Sequence, residues 1–371
     1  MSDGGGTPFL TYRSAGVDYE VLDAAKRASL EAAAGTLRPA GSRGVTVLSD
    51  SIGEPAALIK LDDRQLAVVL ECLGTKSVIA REVQEALGVD RFFDVGVDAV
   101  AAIVNDLCCV GALPVTLNAY FSTGSADWYS GSRHSSLVSG WAAACEVAGA
   151  AWVGGESPSL AGVVEPDEID IAGSALGLVP RGRGSWQAGL LEAGDEIVLV
   201  ASSGLHANGA SLARKVASEL EEGWSTRLAG GRRLGEAVLE PSVIYVGLVE
   251  ALHGAGADVH YASHVTGHGL RKLMRAGREL TYRVFDLPPV PEVLSTLAEL
   301  AGLDATEAYA TFNMGVGFAV YVASGAGKAV VDLAGAKGYE ALLAGKVEAG
   351  KRRVVLEPVG VSYASEALVL R

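Results

Sequence analysis

The stretch Gly96-Val97-Asp98-Ala99-Val100-Ala101-Ala102-Ile103-Val104-Asn105-Asp106-Leu107 decides how this chain is read. Val100, Ile103, Val104, Leu107 and Cys108 recur at helical spacing, which predicts a helix packed on a sheet. Asp98 stands at the expected helix start, where a carboxylate caps free backbone N–H groups and suits the helix dipole. Asn105 follows about two turns later, on nearly the same face, and Asp106 is its neighbour. Three oxygen-bearing side chains on an otherwise apolar helix are costly to bury without partners, and a hard cation is one partner that would satisfy them. An N-cap followed by a polar helix end is the plainer alternative.

The rest of the chain bounds what this helix can belong to. With 371 residues, 49% of them hydrophobic and 20% charged, the chain can build the cores of two ordinary domains and is not disordered. A formal charge of −14 without a Lys/Arg run argues against coating nucleic acid. Local glycine-rich loops, helix N-termini and bound cations still allow a phosphorylated ligand. Cys72, Cys108, Cys109 and Cys145 have neither zinc spacing nor a disulfide framework, so they read as free thiols in a reducing compartment. The start of the chain lacks a basic-then-apolar signal pattern, and no apolar run approaches the roughly 18 residues of a membrane span. The expectation is a soluble, cytoplasmic protein without a membrane or nucleic-acid partner.

Outward from the opening stretch, residues 1–10 read as a flexible lead and 19–34 as a helix, with a Gly/Ser-rich loop over 37–53. Strands are expected at 56–61, 65–71, 115–121, 150–153 and 169–179, and helices at 77–87, about 99–110 and 137–148. At 180–193 the composition turns to Gly, Arg, Ser and Trp, which sets a domain boundary: 11–180 and 181–371. Beyond it come strands at 196–202, 259–263, 315–323, 339–348 and 353–359, with helices at 210–222, 241–252, 270–275, 292–301, 306–309 and 326–337. The class is α/β or α+β in two halves, and no GxGxxG or Walker-type loop follows a strand.

Several turns carry candidate chemistry. Glu71-Cys72-Leu73-Gly74-Thr75-Lys76 ends a strand with an acid, a glycine, a hydroxyl and an ammonium, so it can meet a phosphate while Glu71 holds a metal. A plain turn capped by Thr75 is equally open. Gly154-Gly155-Glu156 follows a buried strand, where the glycines allow close approach and Glu156 could hold a cation, unless it is a tight turn. Ser202-Ser203-Gly204-Leu205-His206-Ala207-Asn208-Gly209 places hydroxyls, an imidazole and an amide at a helix N-terminus, an arrangement suited to a phosphate. His206 has a pKa range useful for proton transfer. Ser263-His264-Val265-Thr266-Gly267-His268-Gly269-Leu270 repeats that logic before Arg271 and Lys272, and its glycines weigh against a zinc site built on its two histidines. The spacing of Thr311-Phe312-Asn313-Met314-Gly315-Val316-Gly317 assigns it no role by itself.

Taken in order, these stretches resemble the phosphoribosylformylglycinamidine cyclo-ligase (AIR synthetase) family. Tyr12-Arg13-Ser14-Ala15-Gly16-Val17-Asp18 is similar to its Y-x-x-A-G-V-D, and Gly74-Thr75-Lys76 to the end of its D-G-V-G-T-K. Val104-Asn105-Asp106, Gly154-Gly155-Glu156, the 202–209 stretch, Thr266–Leu270 and Thr311–Gly317 follow in the family's order. The resemblance implies two AIR-synthetase-like α/β domains, the N-terminal sheet pairing across a homodimer, with ATP and Mg²⁺, and possible K⁺, at the interfaces. It implies ring closure of formylglycinamidine ribonucleotide to aminoimidazole ribonucleotide, ADP and phosphate. Glu71, Asp106 and Glu156 would hold the metal; Gly74, Thr75, Lys76, Asn105, Asp106, Gly154 and Gly155 would meet ATP; and His206, Lys76 and Asn208 would serve catalysis. The chain departs from the family in four places: Glu71-Cys72-Leu73 for D-G-V, a 41–53 segment without G-G-F-G, Ala119 at the acid of F-L-D-Y, and His268 within T-G-G-G. These departures keep two alternatives open, a superfamily member that phosphorylates another small molecule and a non-catalytic nucleotide-binding paralogue.

Overall fold

Alternating apolar and polar positions build two separate sheets. The structure is a computed structural model that describes residues 19–37 and 43–369, together with residues 10, 16 and 41. The expected lead and the Tyr12–Asp18 motif, residues 10 and 16 apart, lie outside the described residues. After helix α1 (Tyr19–Ala34), the first sheet takes β1 (Val45–Val47), β2 (Ala57–Leu61), β3 (Arg64–Cys72), β4 (Leu113–Thr123), β5 (Ala151–Glu156) and β6 (Ile169–Leu178), in the order β1-β2-β3-β6-β4-β5. Its pairs are antiparallel except β4 with β5. Along β6, Ile169, Ile171, Gly173, Ala175 and Gly177 turn to the buried face, the period-two pattern of a strand covered on one side.

Helices α2 (Lys76–Leu87), α3 (Phe92–Cys108) and α4 (Ser132–Val147) accompany this sheet; α3 lies on β3 and β6, and α4 packs on α3. Here one expectation is corrected. The helix begins at Phe92, so Asp98 is not an N-cap but a fully buried residue in the helix interior. Gly96, in the same helix, lets two helices touch. A Cβ on Gly96 would stand 2.4 Å from the Leu137 carbonyl oxygen, and one on Gly140 would stand 1.9 Å from that of Phe93. Glycine sits at both points because only a missing side chain permits this backbone approach.

The second sheet holds β7 (Glu196–Ala201), β8 (Val259–His264), β9 (Leu280–Val284), β10 (Val316–Val322), β11 (Ala341–Ala349), β12 (Arg353–Leu356) and β13 (Val361–Ala364), in the order β13-β12-β9-β11-β7-β10-β8. Every residue of β10 is buried, as expected for a central strand covered on both faces. Helices α5 (Ala210–Glu219), α6 (Leu234–Val238), α7 (Val246–Ala255), α8 (Glu292–Leu300), α9 (Ala305–Thr311) and α10 (Gly327–Ala336) surround it. β1, β9 and β13 are not anticipated by the sequence pattern, and the helix expected from 241 starts at Val246. The connector between the sheets is pinned at Trp186, whose ring stacks on His253 with ring centroids 5.2 Å apart and whose backbone N–H donates to the Val110 carbonyl at 3.1 Å. Among the described residues, no helix is long and apolar enough to cross a membrane.

Candidate active site

The polar residues of α3 dock the second domain onto the first. Asp98 Oδ1 accepts the Ser242 N–H at 2.8 Å, and its Oδ2 lies 2.5 Å from Lys76 Nζ, with both charged side chains fully buried. Lys76 also donates to the Glu240 carbonyl at 3.3 Å. Asn105 donates from Nδ2 to the Val243 carbonyl at 2.8 Å and accepts the Tyr245 N–H at Oδ1, 2.9 Å away. Residues 241–245 therefore leave the helical path because Asp98 and Asn105 of α3 satisfy backbone groups of Ser242, Val243 and Tyr245. Burial pushes the Asp98 carboxyl up, against the opposing pull of Lys76 and Ser242. Lys76, expected beside a phosphate, is instead enclosed in this joint. Gly74 (φ +67°) supplies its turn, and Thr75 meets Ser211 across the domains, Oγ to Oγ, at 2.9 Å.

Where the domains part, they enclose a cavity of about 700 Å³ walled by the end of β3, α3, the loops after β7 and β8, and α1. Glu71 and Asp106 stand side by side on its wall. Burial raises the Glu71 pKa to about 7, and the adjacent Asp106 carboxylate adds to the shift. Burial alone would raise Asp106 as well, but the His264 imidazole, Nδ1 at 2.8 Å, and the charge of Lys272 hold it low. Facing the acids, Lys272 donates to Thr266 Oγ1 at 2.7 Å; burial and then Arg275 lower its pKa to about 8. Arg275 donates to the Gly53 carbonyl at 2.8 Å and lies 3.5 Å from Glu54. An acid pair opposed by buried cations, inside a chain of net charge −14, suits a phosphate together with a cation. The sequence reading missed Arg275 and Glu54, which no local motif marks.

The 202–209 loop reaches the cavity through Ala207 and Asn208. His206 does not: it is buried behind them at φ +57°, with Nε2 accepting the N–H groups of Ser203 at 3.1 Å and Val243 at 3.4 Å. That geometry puts the ring proton on Nδ1, and burial holds the imidazole well below its usual range. Asn313 clamps the same loop. Its Oδ1 accepts from Ser202 Oγ at 2.8 Å and the Gly315 N–H at 2.9 Å, while its Nδ2 donates to the carbonyls of Gly204 at 2.8 Å and Leu205 at 3.2 Å. The Thr311–Gly317 motif thus acquires a structural role that spacing alone left unassigned. Gly317 completes it, since a Cβ there would lie 1.8 Å from the Tyr245 hydroxyl.

The remaining candidates lie elsewhere. Glu71, Gly173, Ala119 and Gly155 form one row across β3, β6, β4 and β5. Three strand spacings separate its ends by about 14 Å, and Glu156 follows on the exposed outer strand. The chain thus brings Glu71 and Asp106 together and leaves Glu156 apart. Among the described residues, no group of three or more His, Cys, Asp or Glu side chains could hold a metal ion. Gly154 and Gly155 are likewise exposed on β5, and Ala119 is buried within the first sheet.

Two matched family models cover most of this architecture. Residues 53–179 match the N-terminal domain, and 192–357 the C-terminal domain, of AIR synthase related protein, the class that fold and cavity define. Over 356 residues the chain is 36% identical to a phosphoribosylformylglycinamidine cyclo-ligase of an Anaeromyxobacter species, covering 94% of this chain and 99% of that one. It is 32% identical over 316 residues to one from Methanothermobacter thermautotrophicus, covering 85% and 88%. Among solved structures, AaThiL complexed with AMPPCP and TMP shares the fold at a TM-score of 0.56 and 17% identity, covering 85% of this chain and 91% of that one. The chain belongs to the phosphoribosylformylglycinamidine cyclo-ligase family.

Proposed function

We propose that this protein uses ATP to close the imidazole ring of formylglycinamidine ribonucleotide, giving aminoimidazole ribonucleotide, ADP and phosphate in purine biosynthesis in the cytoplasm. The observation that carries the reading is the interdomain cavity, with its Glu71–Asp106 pair opposite Lys272 and Arg275, in a chain that aligns along 94% of its length with a cyclo-ligase. The γ-phosphoryl group passes to the formyl amide oxygen, forming a P–O bond as the bond to ADP breaks. A substrate nitrogen then attacks that carbon, the oxygen leaves within phosphate, and a proton is lost.

Lys272 and Arg275 offset phosphate charge, which counts for more in a partly dry cavity than in water. Asn208 faces the substrate side, and His206 and Asn313 keep its loop in place. Lys76, Gly74, Thr75 and Asn105 act through the walls they hold. Two adjacent carboxyls on the cavity wall fit Mg²⁺, which binds through one or two carboxylates plus phosphate oxygens. Bound there, Mg²⁺ would neutralise charge on the phosphates.

A homodimer formed through the first sheet agrees with the exposed edge strand β5 and with exposed Leu70 and Val153. Gly154, Gly155 and Glu156 would then lie at the dimer interface. The site is tested by calorimetry with Mg²⁺, K⁺ and ATP. Asp106→Asn is expected to abolish Mg²⁺-dependent binding, and an unchanged affinity would refute the assignment.

A further inference from the structure

Helix α1 forms one wall of the cavity, yet among its described side chains only Asp23 is buried. Leu22, Ala25, Lys26, Ser29, Leu30 and Ala33 recur along one helical face and line the cavity. The helix therefore turns this face toward open space and not onto a core. Arg27 Nη1 donates to the Val369 carbonyl at 2.8 Å, and Asp23 Oδ2 comes within 3.5 Å of His268 Nε2.

His268 stands where the resemblance carries glycine in T-G-G-G. It adopts φ +73°, a left-handed conformation that costs a non-glycine residue about 1 kcal/mol. Burial, then the charges of Lys272 and Arg271, hold its pKa near 2, so the ring stays neutral among the cavity's cations. A strained, uncharged imidazole in the cavity wall thus faces Asp23 on the helix opposite.

We propose that His268 is a positioning residue which, with Asp23, latches α1 over the cavity and so makes that helix a wall of the ligand site. The inference rests on the cavity being the site of the cyclo-ligase reaction. If the closed position is only partly populated without the latch, apparent affinity falls in proportion to that population, while the reacting groups stay where they were.

His268→Gly tests this without endangering the fold, because glycine tolerates the left-handed turn. His268→Asn is the rescue variant, since asparagine accepts that conformation and can donate to Asp23. Two readouts are taken on the full chain: trypsin cleavage at Lys26 and Arg27 without ligand, and KM and kcat for ATP. For His268→Gly the expected result is faster cleavage and a KM raised about tenfold with kcat within about twofold, with His268→Asn restoring most of both. Wild-type cleavage in His268→Gly, or a KM that does not move while cleavage does, overturns the latch. Should the wild-type protein show no cyclo-ligase turnover, the functional reading fails by itself and the cleavage comparison still decides the latch.

Discussion

Breaking the Lys76–Asp98 pair separates the two roles that Lys76 could have. Both side chains are fully buried, 2.5 Å apart, and Asp98 also accepts from Ser242 in the other domain. Lys76→Met leaves the carboxylate enclosed without its counter-ion, and Asp98→Ala strands the ammonium and the Ser242 N–H. Removing one partner of such a pair costs about 3–5 kcal/mol. With an m-value of about 3 kcal/mol per molar urea, either variant lowers the unfolding midpoint by roughly 1 M or more. Because the pair joins the domains, the single variants are also expected to split unfolding into two steps. In a double-mutant cycle the coupling should reach about 2 kcal/mol, since the second removal no longer uncovers a charge. A Lys76→Met protein with a wild-type midpoint but no ATP affinity would refute this, and would return Lys76 to the phosphates.

Three further outcomes follow from the same contacts. Gly96→Ala forces a Cβ against the Leu137 carbonyl at 2.4 Å and should cost about 1–3 kcal/mol in thermal unfolding; a wild-type melting temperature would contradict the α3–α4 packing. Asn313→Ala leaves buried partners of the 202–205 loop unpaired, costing about 1–3 kcal/mol, and hydrogen exchange should speed up across 202–206 while distant β12 keeps its protection. The Glu71 pKa rises on folding from 4.5 to about 7, so the folded state holds this proton more tightly. Its contribution to stability is full below pH 4.5 and is lost as pH rises through 7, so the ligand-free protein weakens across that window and Glu71→Gln flattens the slope. Parallel pH–stability curves for the two proteins would show that no such proton is held.

Much of the layout was legible because it is local. The bounds of α1 and the positions of β2, β3, β6, β7 and β10 follow from periodicity, and Asp98, Asn105 and Asp106 were visibly polar residues on an apolar helix in need of partners. What the partners are was not legible. Ser242, Val243, Tyr245 and His264 lie about 140–160 positions away, and spacing cannot indicate that a protein group, in place of a cation, satisfies the first two of those side chains. The use of Gly96 was hidden for a related reason: it is set by the helix crossing it, which the spacing of one helix does not show. The helix expected from 241 failed because α3 competes for the backbone of 241–245. Arg275 and Glu54 look like ordinary charges until the fold turns them into the cavity.

The most direct test of the account follows the oxygen. Formylglycinamidine ribonucleotide labelled with ¹⁸O in its formyl group is incubated with the protein, ATP, Mg²⁺ and K⁺, and the products are read by mass spectrometry. The account requires aminoimidazole ribonucleotide in step with ADP, with the label recovered in inorganic phosphate. ATP bound without product, or ADP released while the label stays in the substrate, would contradict it and point to a different acceptor in the same cavity.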